Sequence, residues 1–151
     1  MKSTVANKDS IIDQSSEALG AVGLANLTIS VVAERAKVST ALVHYHFDTK
    51  AKLLVATAER VASRRHERRA RALSSARGLA AVDALWDVVA SSVRDGTERA
   101  YVELALYARS DAAAAAAMAR QRRSQRAAMI ARMPALLREL GAASASASDE
   151  L

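Results

Sequence analysis

This chain has very few residues that could break a helix. One proline, Pro134, and five glycines are spread over 151 residues, whereas alanine alone occurs 36 times. Ala, Arg, Leu and Glu are strong helix formers, so the default conformation is a series of long α-helices. The absence of cysteine excludes a disulfide scaffold, a thiol nucleophile, a zinc ribbon and an iron–sulfur site. Alanine also supplies nearly half of the 51% of residues that are hydrophobic, which implies a modest core of closely packed helices. The expected fold class is all-α.

Periodicity divides the chain further. Ile11, Ile12, Ser15, Ala18, Leu19 and Val22 recur at helical spacing, with Ser10 as the expected cap and Gly23 at the expected stop. Thr28 is an N-cap for a two-turn helix with Ile29, Val32, Ala33 and Ala36 on one face. Lys37 and Val38 form a tight turn, and Ser39 caps a third helix running to about Phe47. After a turn at Asp48-Thr49-Lys50, a long helix places Leu53, Leu54, Thr57, Ala58 and Val61 inward. Further helices are expected over about 80–95 and 98–110, and from Asp111 onward. Pro134 is expected to kink the last of these or to start a short new piece. The expected domains are a flexible segment 1–9, a three-helix unit 10–62 continuing as a linking helix to about 77, a partial helical domain 80–140, and a disordered Ala/Ser-rich tail 141–151.

The constellation that carries chemistry is TISVVAERAKVSTALVHYHFDTKAKL, residues 28–53. Two short, separately capped helices joined by a three- to four-residue turn make a helix-turn-helix layout. If Val43 and Phe47 face inward, Thr40, Ala41, His44 and Tyr45 face outward. Small residues near a helix N-terminus can approach base edges, and longer polar ones can reach bases or phosphates. Thr28 and Lys50 sit at helix N-termini, where free amides and the helix dipole favour a phosphate.

Residues about 10–62 resemble the DNA-binding domain of the tetracycline-repressor (TetR/AcrR) family of transcription regulators. The resemblance rests on Thr28, Val32-Ala33, Ala36, Val38-Ser39, Val43, His46-Phe47, Lys50 and Leu53, matched without a gap. It implies that the third helix enters the major groove of double-stranded DNA. It further implies that Ser39 caps that helix, that Thr40 and Ala41 face bases, that His44 and Tyr45 contact bases or backbone, and that Thr28 and Lys50 hold phosphates. The family usually has Gly where this chain has Lys37, a position that can add a phosphate contact, and Tyr where it has His44. The resemblance also implies a homodimer on a pseudo-palindromic operator, repression, and a small-molecule effector bound in an all-α regulatory domain. The two C-terminal helices that usually build the family's dimer interface are expected to be missing.

Other features admit bland readings. Trp86, Tyr101, Tyr107 and Met118 are candidates to line a ligand pocket, and ordinary core packing is the preferred reading of them. His44 and His46 are two apart, on different helix faces, so they cannot share a metal. Asp83 and Asp87 sit in the first turns of a helix without a partner base, and no catalytic fingerprint occurs. No enzyme activity, cofactor or metal is expected. The basic excess lies in residues 63–80, net +5 of the total +6. Arg64, Arg65, Arg68, Arg69, Arg71 and Arg77 can form either a polyanion- or membrane-binding surface or an ordinary solvated face. No apolar run approaches the roughly 20 residues of a membrane span. Residues 1–10 lack a signal-peptide core and Ser148–Leu151 is no retention signal, so a cytoplasmic location is expected. The rival to a DNA-binding regulator is a helical interaction protein that acts only with a partner subunit.

Overall fold

The computed structural model describes residues 8–141, and among these there are seven helices and no strand. They are α1 (Lys8–Val22), α2 (Ile29–Ala36), α3 (Thr40–Phe47), α4 (Lys50–Ser75), α5 (Leu79–Arg94), α6 (Thr97–Tyr107) and α7 (Ala112–Glu139). Of the expected flexible segment 1–9 and disordered tail 141–151, residues 1–7 and 142–151 lie outside the described residues.

The N-terminal core forms where α1, α2, α3 and the first half of α4 bring their apolar faces together. Ile11, Leu19, Leu27, Val32, Val43, Leu53 and Ala58 are all essentially inaccessible there. Two hydroxyls sit within it without penalty. Thr57 donates to the Leu53 carbonyl at 2.8 Å, and Ser15 donates to Thr57 Oγ1 at 2.8 Å. Each polar group therefore keeps the hydrogen bond that burial would otherwise strip away.

Three expectations need correction. Helix α1 begins at Lys8, so Lys8 and Asp9 belong to its first turn and Ser10 lies inside it. Arg60 on α4 accounts for the extension, because it pairs with both Asp9 and Asp13. Pro134 does not start a new short piece, because α7 runs through it to Glu139. The missing amide removes one helix bond, while Arg132 holds both sides of the proline in place by pairing with Glu139 at 2.9 Å and reaching the Leu73 carbonyl. Finally, the arginine-rich stretch of α4 is mostly not a free surface. Arg64 meets Asp13 at 2.7 Å, Arg65 and Arg69 share Glu98 at 2.9 and 2.8 Å, and Arg68 meets Asp95 at 2.8 Å. Arg65 also stacks 4.2 Å above the Tyr101 ring. These residues tie α4 to α1, α5 and α6, leaving Arg71 and Arg77 exposed.

Two glycines set the approach of the N-terminal unit to the rest. A Cβ on Gly20 would lie 2.8 Å from the Gly96 carbonyl oxygen, and one on Gly96 would lie 2.9 Å from that of Gly20. Only hydrogen at both positions lets α1 pass the α5–α6 corner this closely. Alongside, Glu103 accepts the Leu24 amide and pairs with Arg99.

Much of the apolar surface of α5 is outside. Leu79, Val82, Trp86 and Val93 are exposed, as are Val102 and Leu106 on α6. Helical period fixes which residues share a face but not whether another element covers that face.

Candidate nucleic-acid interface

The geometry of residues 28–53 follows from three caps. Thr28 is extended (φ −114°, ψ 163°) and its hydroxyl accepts the Val31 amide at 3.1 Å. Ser39 does the same for Leu42 at 3.1 Å, and Thr49 for Lys52 at 3.2 Å. Each cap satisfies one orphan amide of its helix. At α2 the Ile29 and Ser30 amides, and at α4 the Lys50 and Ala51 amides, have no partner among the described residues. Such pairs of first-turn amides, at the positive end of a helix dipole, suit an anion.

The turn between α2 and α3 closes by a Schellman arrangement. The Val38 amide donates to Ala33 O at 2.9 Å and the Lys37 amide to Glu34 O at 3.1 Å. This places Lys37 in the left-handed region, at φ 56° and ψ 44°, where glycine is the usual occupant. Val38 folds back against the core, and with Val32, Ala33 and Ala36 it fixes the angle between the two helices.

Helix α3 is anchored by Val43 and Phe47, both buried. Its opposite surface carries Thr40, Ala41, His44 and Tyr45, all exposed. Tyr45 is 81% accessible, and its ring meets the His46 ring edge-on at 5.2 Å. His44 Nδ1 lies 3.3 Å from the Asp48 carbonyl oxygen. In the tautomer that carries its proton on Nδ1 the ring donates to this carbonyl, which can only accept, and Nε2 is left as an acceptor. The Asp48 side chain is turned toward Lys52 at 2.7 Å, and that hydrogen bond and charge hold its carboxyl below the ordinary value. It therefore adds little bare negative charge next to α3. Every one of the eight residues expected at a DNA surface is exposed: Thr28, Lys37, Ser39, Thr40, Ala41, His44, Tyr45 and Lys50.

Of the four residues expected around a ligand, Met118 belongs to the core cluster, Tyr101 and Tyr107 pack against it, and Trp86 stands outside it. Trp86 is 71% exposed on α5. Tyr101 lies under Arg65, Tyr107 donates to Asp111 at 2.8 Å, and Met118 is sealed in the core. None of them lines the described cavities. A cleft that the sequence did not suggest opens instead between α4 and α7, with His66, Arg69, Gln125 and Arg132 among its walls. Those residues are about sixty apart in the chain, and no local spacing links them. Among the described residues no three His, Asp or Glu side chains could hold a metal ion, and no helix is long and apolar enough to cross a membrane.

A capped helix with an exposed outer face, packed against a second short helix and flanked by helix N-termini, is the arrangement of a helix-turn-helix DNA-binding protein. Comparison with known proteins agrees. Residues 11–57 match the family of bacterial regulatory proteins described as the tetR family. The fold resembles the crystal structure of the multidrug binding protein EbrR complexed with imidazole. That similarity has a TM-score of 0.60 at 27% identity and covers 82% of this chain and 67% of that one. No curated protein matches the sequence. Residues 11–57 therefore carry a tetR-family DNA-binding domain, and the domain together with the structural similarity supports a DNA-binding transcriptional regulator.

Proposed function

We propose that the protein is a sequence-specific repressor that reads the major groove with α3 and responds to a small ligand bound in its second half. The observation that carries the groove assignment is the outward face of α3. Thr40 and Ala41 there are small enough to reach a thymine methyl, and the acceptor Nε2 of His44 would select a base-edge donor, adenine N6 or cytosine N4. Lys50 and Thr28, with their helix N-termini, would hold phosphates, Lys37 and Tyr45 would add further backbone contacts, and Ser39 would act by holding α3 in place. The protein would act by binding rather than by catalysis, in the cytoplasm.

A second reading has its own support. The uncovered apolar residues of α5 and α6 favour association, either as a homodimer on a pseudo-palindromic operator or, in the rival reading, with a partner subunit. The polyanion-patch reading loses its basis, because four of its six arginines are already paired within the chain.

Titration of binding against salt tests the contact set. Lys50→Ala should weaken binding to all sequences alike and lower the salt slope by about one. Thr40→Val and His44→Gln should instead alter which bases are preferred. Unchanged preferences after both changes would end the groove assignment.

A further inference from the structure

The cleft between the second halves of α4 and α7 is lined by His66, Arg69, Ala70, Leu73 and Ser74 on one side and by Gln125, Ala128, Met129 and Arg132 on the other, and encloses about 190 Å³. A cavity of roughly 150 Å³ with apolar walls is enough for one benzene ring. No carboxylate is among these nine lining residues. Ala70, Leu73, Ala128 and Met129 give the cleft an apolar body. His66, Arg69, Gln125 and Arg132 give it polar groups that can all donate hydrogen bonds.

The charge balance around it is uneven. Glu98 serves both Arg65 and Arg69, and Glu139 serves Arg132. Three guanidinium groups thus share two carboxylates. Glu139 is also engaged by the Gly78 amide at 3.1 Å, which draws its charge toward the α4–α5 corner. Arg69 Nε is shielded from solvent and has no hydrogen-bond partner. Burial, then the neighbouring Arg65, depresses the Arg69 guanidinium from its ordinary value. A buried donor of this kind is one that an incoming acceptor would satisfy. Guanidinium groups match carboxylates in particular, through paired N–H donors in a planar fork.

We propose that this cleft binds a small amphipathic anion, a carboxylate carried on one aromatic ring or a short apolar chain. The apolar part would lie against Leu73, Ala128 and Met129 and the carboxylate between Arg69 and Arg132. The site gives a location and a chemical class to the ligand of the ligand-response reading and rests on that reading only for its regulatory meaning. Binding itself is measured without DNA.

Calorimetry on the whole chain with three ligands of one shape tests it: benzoate, its neutral analogue benzamide and the cationic benzylamine. Benzoate should bind saturably in the millimolar range or tighter, benzamide at least tenfold more weakly, and benzylamine not at all. Arg69→Gln and Arg132→Gln should each weaken benzoate at least tenfold. Because both arginines also make ion pairs, Ala128→Leu provides a variant that narrows the cleft without touching a charge. It should abolish benzoate binding while leaving helix content and Tm unchanged. Absence of saturable benzoate binding, equal affinity for benzamide, or benzoate affinity indifferent to all three substitutions would overturn the proposal.

Discussion

Lys37 combines a backbone cost with a proposed contact, and two substitutions separate them. Its φ of 56° and ψ of 44° put an L-residue where Cβ crowds the following carbonyl, a cost of about 1–2 kcal/mol. Lys37→Gly removes that cost but gives the unfolded chain more freedom, which returns about 0.5–1 kcal/mol. The expected net is a stabilisation of about 0.5–1 kcal/mol, or roughly 1–4 °C in Tm for a chain of this size. Lys37→Ala keeps the crowding and removes only the exposed ammonium, so its stability should stay within about 0.5 kcal/mol of the parent. Urea denaturation followed by helix circular dichroism compares the two. The same proteins, titrated against labelled operator by fluorescence anisotropy, should both lose about 0.9 from the salt slope if Lys37 meets a phosphate. A glycine variant less stable than the alanine variant would refute the strain argument. An unchanged slope in both would remove Lys37 from the phosphate contacts.

Gly20→Ala should destabilise the protein by about 1–3 kcal/mol in thermal or urea unfolding, because the new methyl would meet the Gly96 backbone at 2.8 Å and no side chain can move aside. Acid should weaken the start of α7. The Ala114 amide, then the Tyr107 hydroxyl, hold the Asp111 carboxyl below its ordinary value. Its contribution is therefore complete above the unfolded carboxylate pKa of about 4 and is lost as pH falls through the lower folded value. Asp111→Asn, which can still cap, should flatten that part of the stability profile, read as the denaturation midpoint from pH 6 down to pH 3. Trp86, the single tryptophan, should emit as a solvent-exposed indole and be quenched readily by acrylamide in dilute free protein, since 71% of it is accessible. Protection that grows with protein concentration would indicate that self-association covers α5.

The reading head was legible because its signals are local. Thr28, Ser39 and Thr49 each precede a helix whose amides they cap, and Val43 and Phe47 are four apart, so the outward face of α3 follows from helical spacing alone. The left-handed turn was legible only in part: the resemblance marked Lys37 as standing at a glycine position, but its conformation comes from the two amide bonds that close α2. The roles of Arg64, Arg65, Arg68 and Arg69 were not legible. Their partners Asp13, Asp95 and Glu98 lie about thirty to fifty residues away, and a run of arginines looks the same whether it faces water or acids. Trp86 was misplaced for the same kind of reason, since amphipathic spacing names a face without saying what covers it. Gly20 and Gly96 carry no motif, and their meaning lies in a backbone approach that only the tertiary structure contains.

The central claim is that α3 reads bases. Selection of binding sites from a random double-stranded DNA pool at physiological salt tests it most directly. An enriched motif is expected, with a thymine positioned for Thr40 or Ala41 and an adenine or cytosine for His44, as a single half-site or an inverted pair. A pool that emerges without sequence enrichment would contradict it.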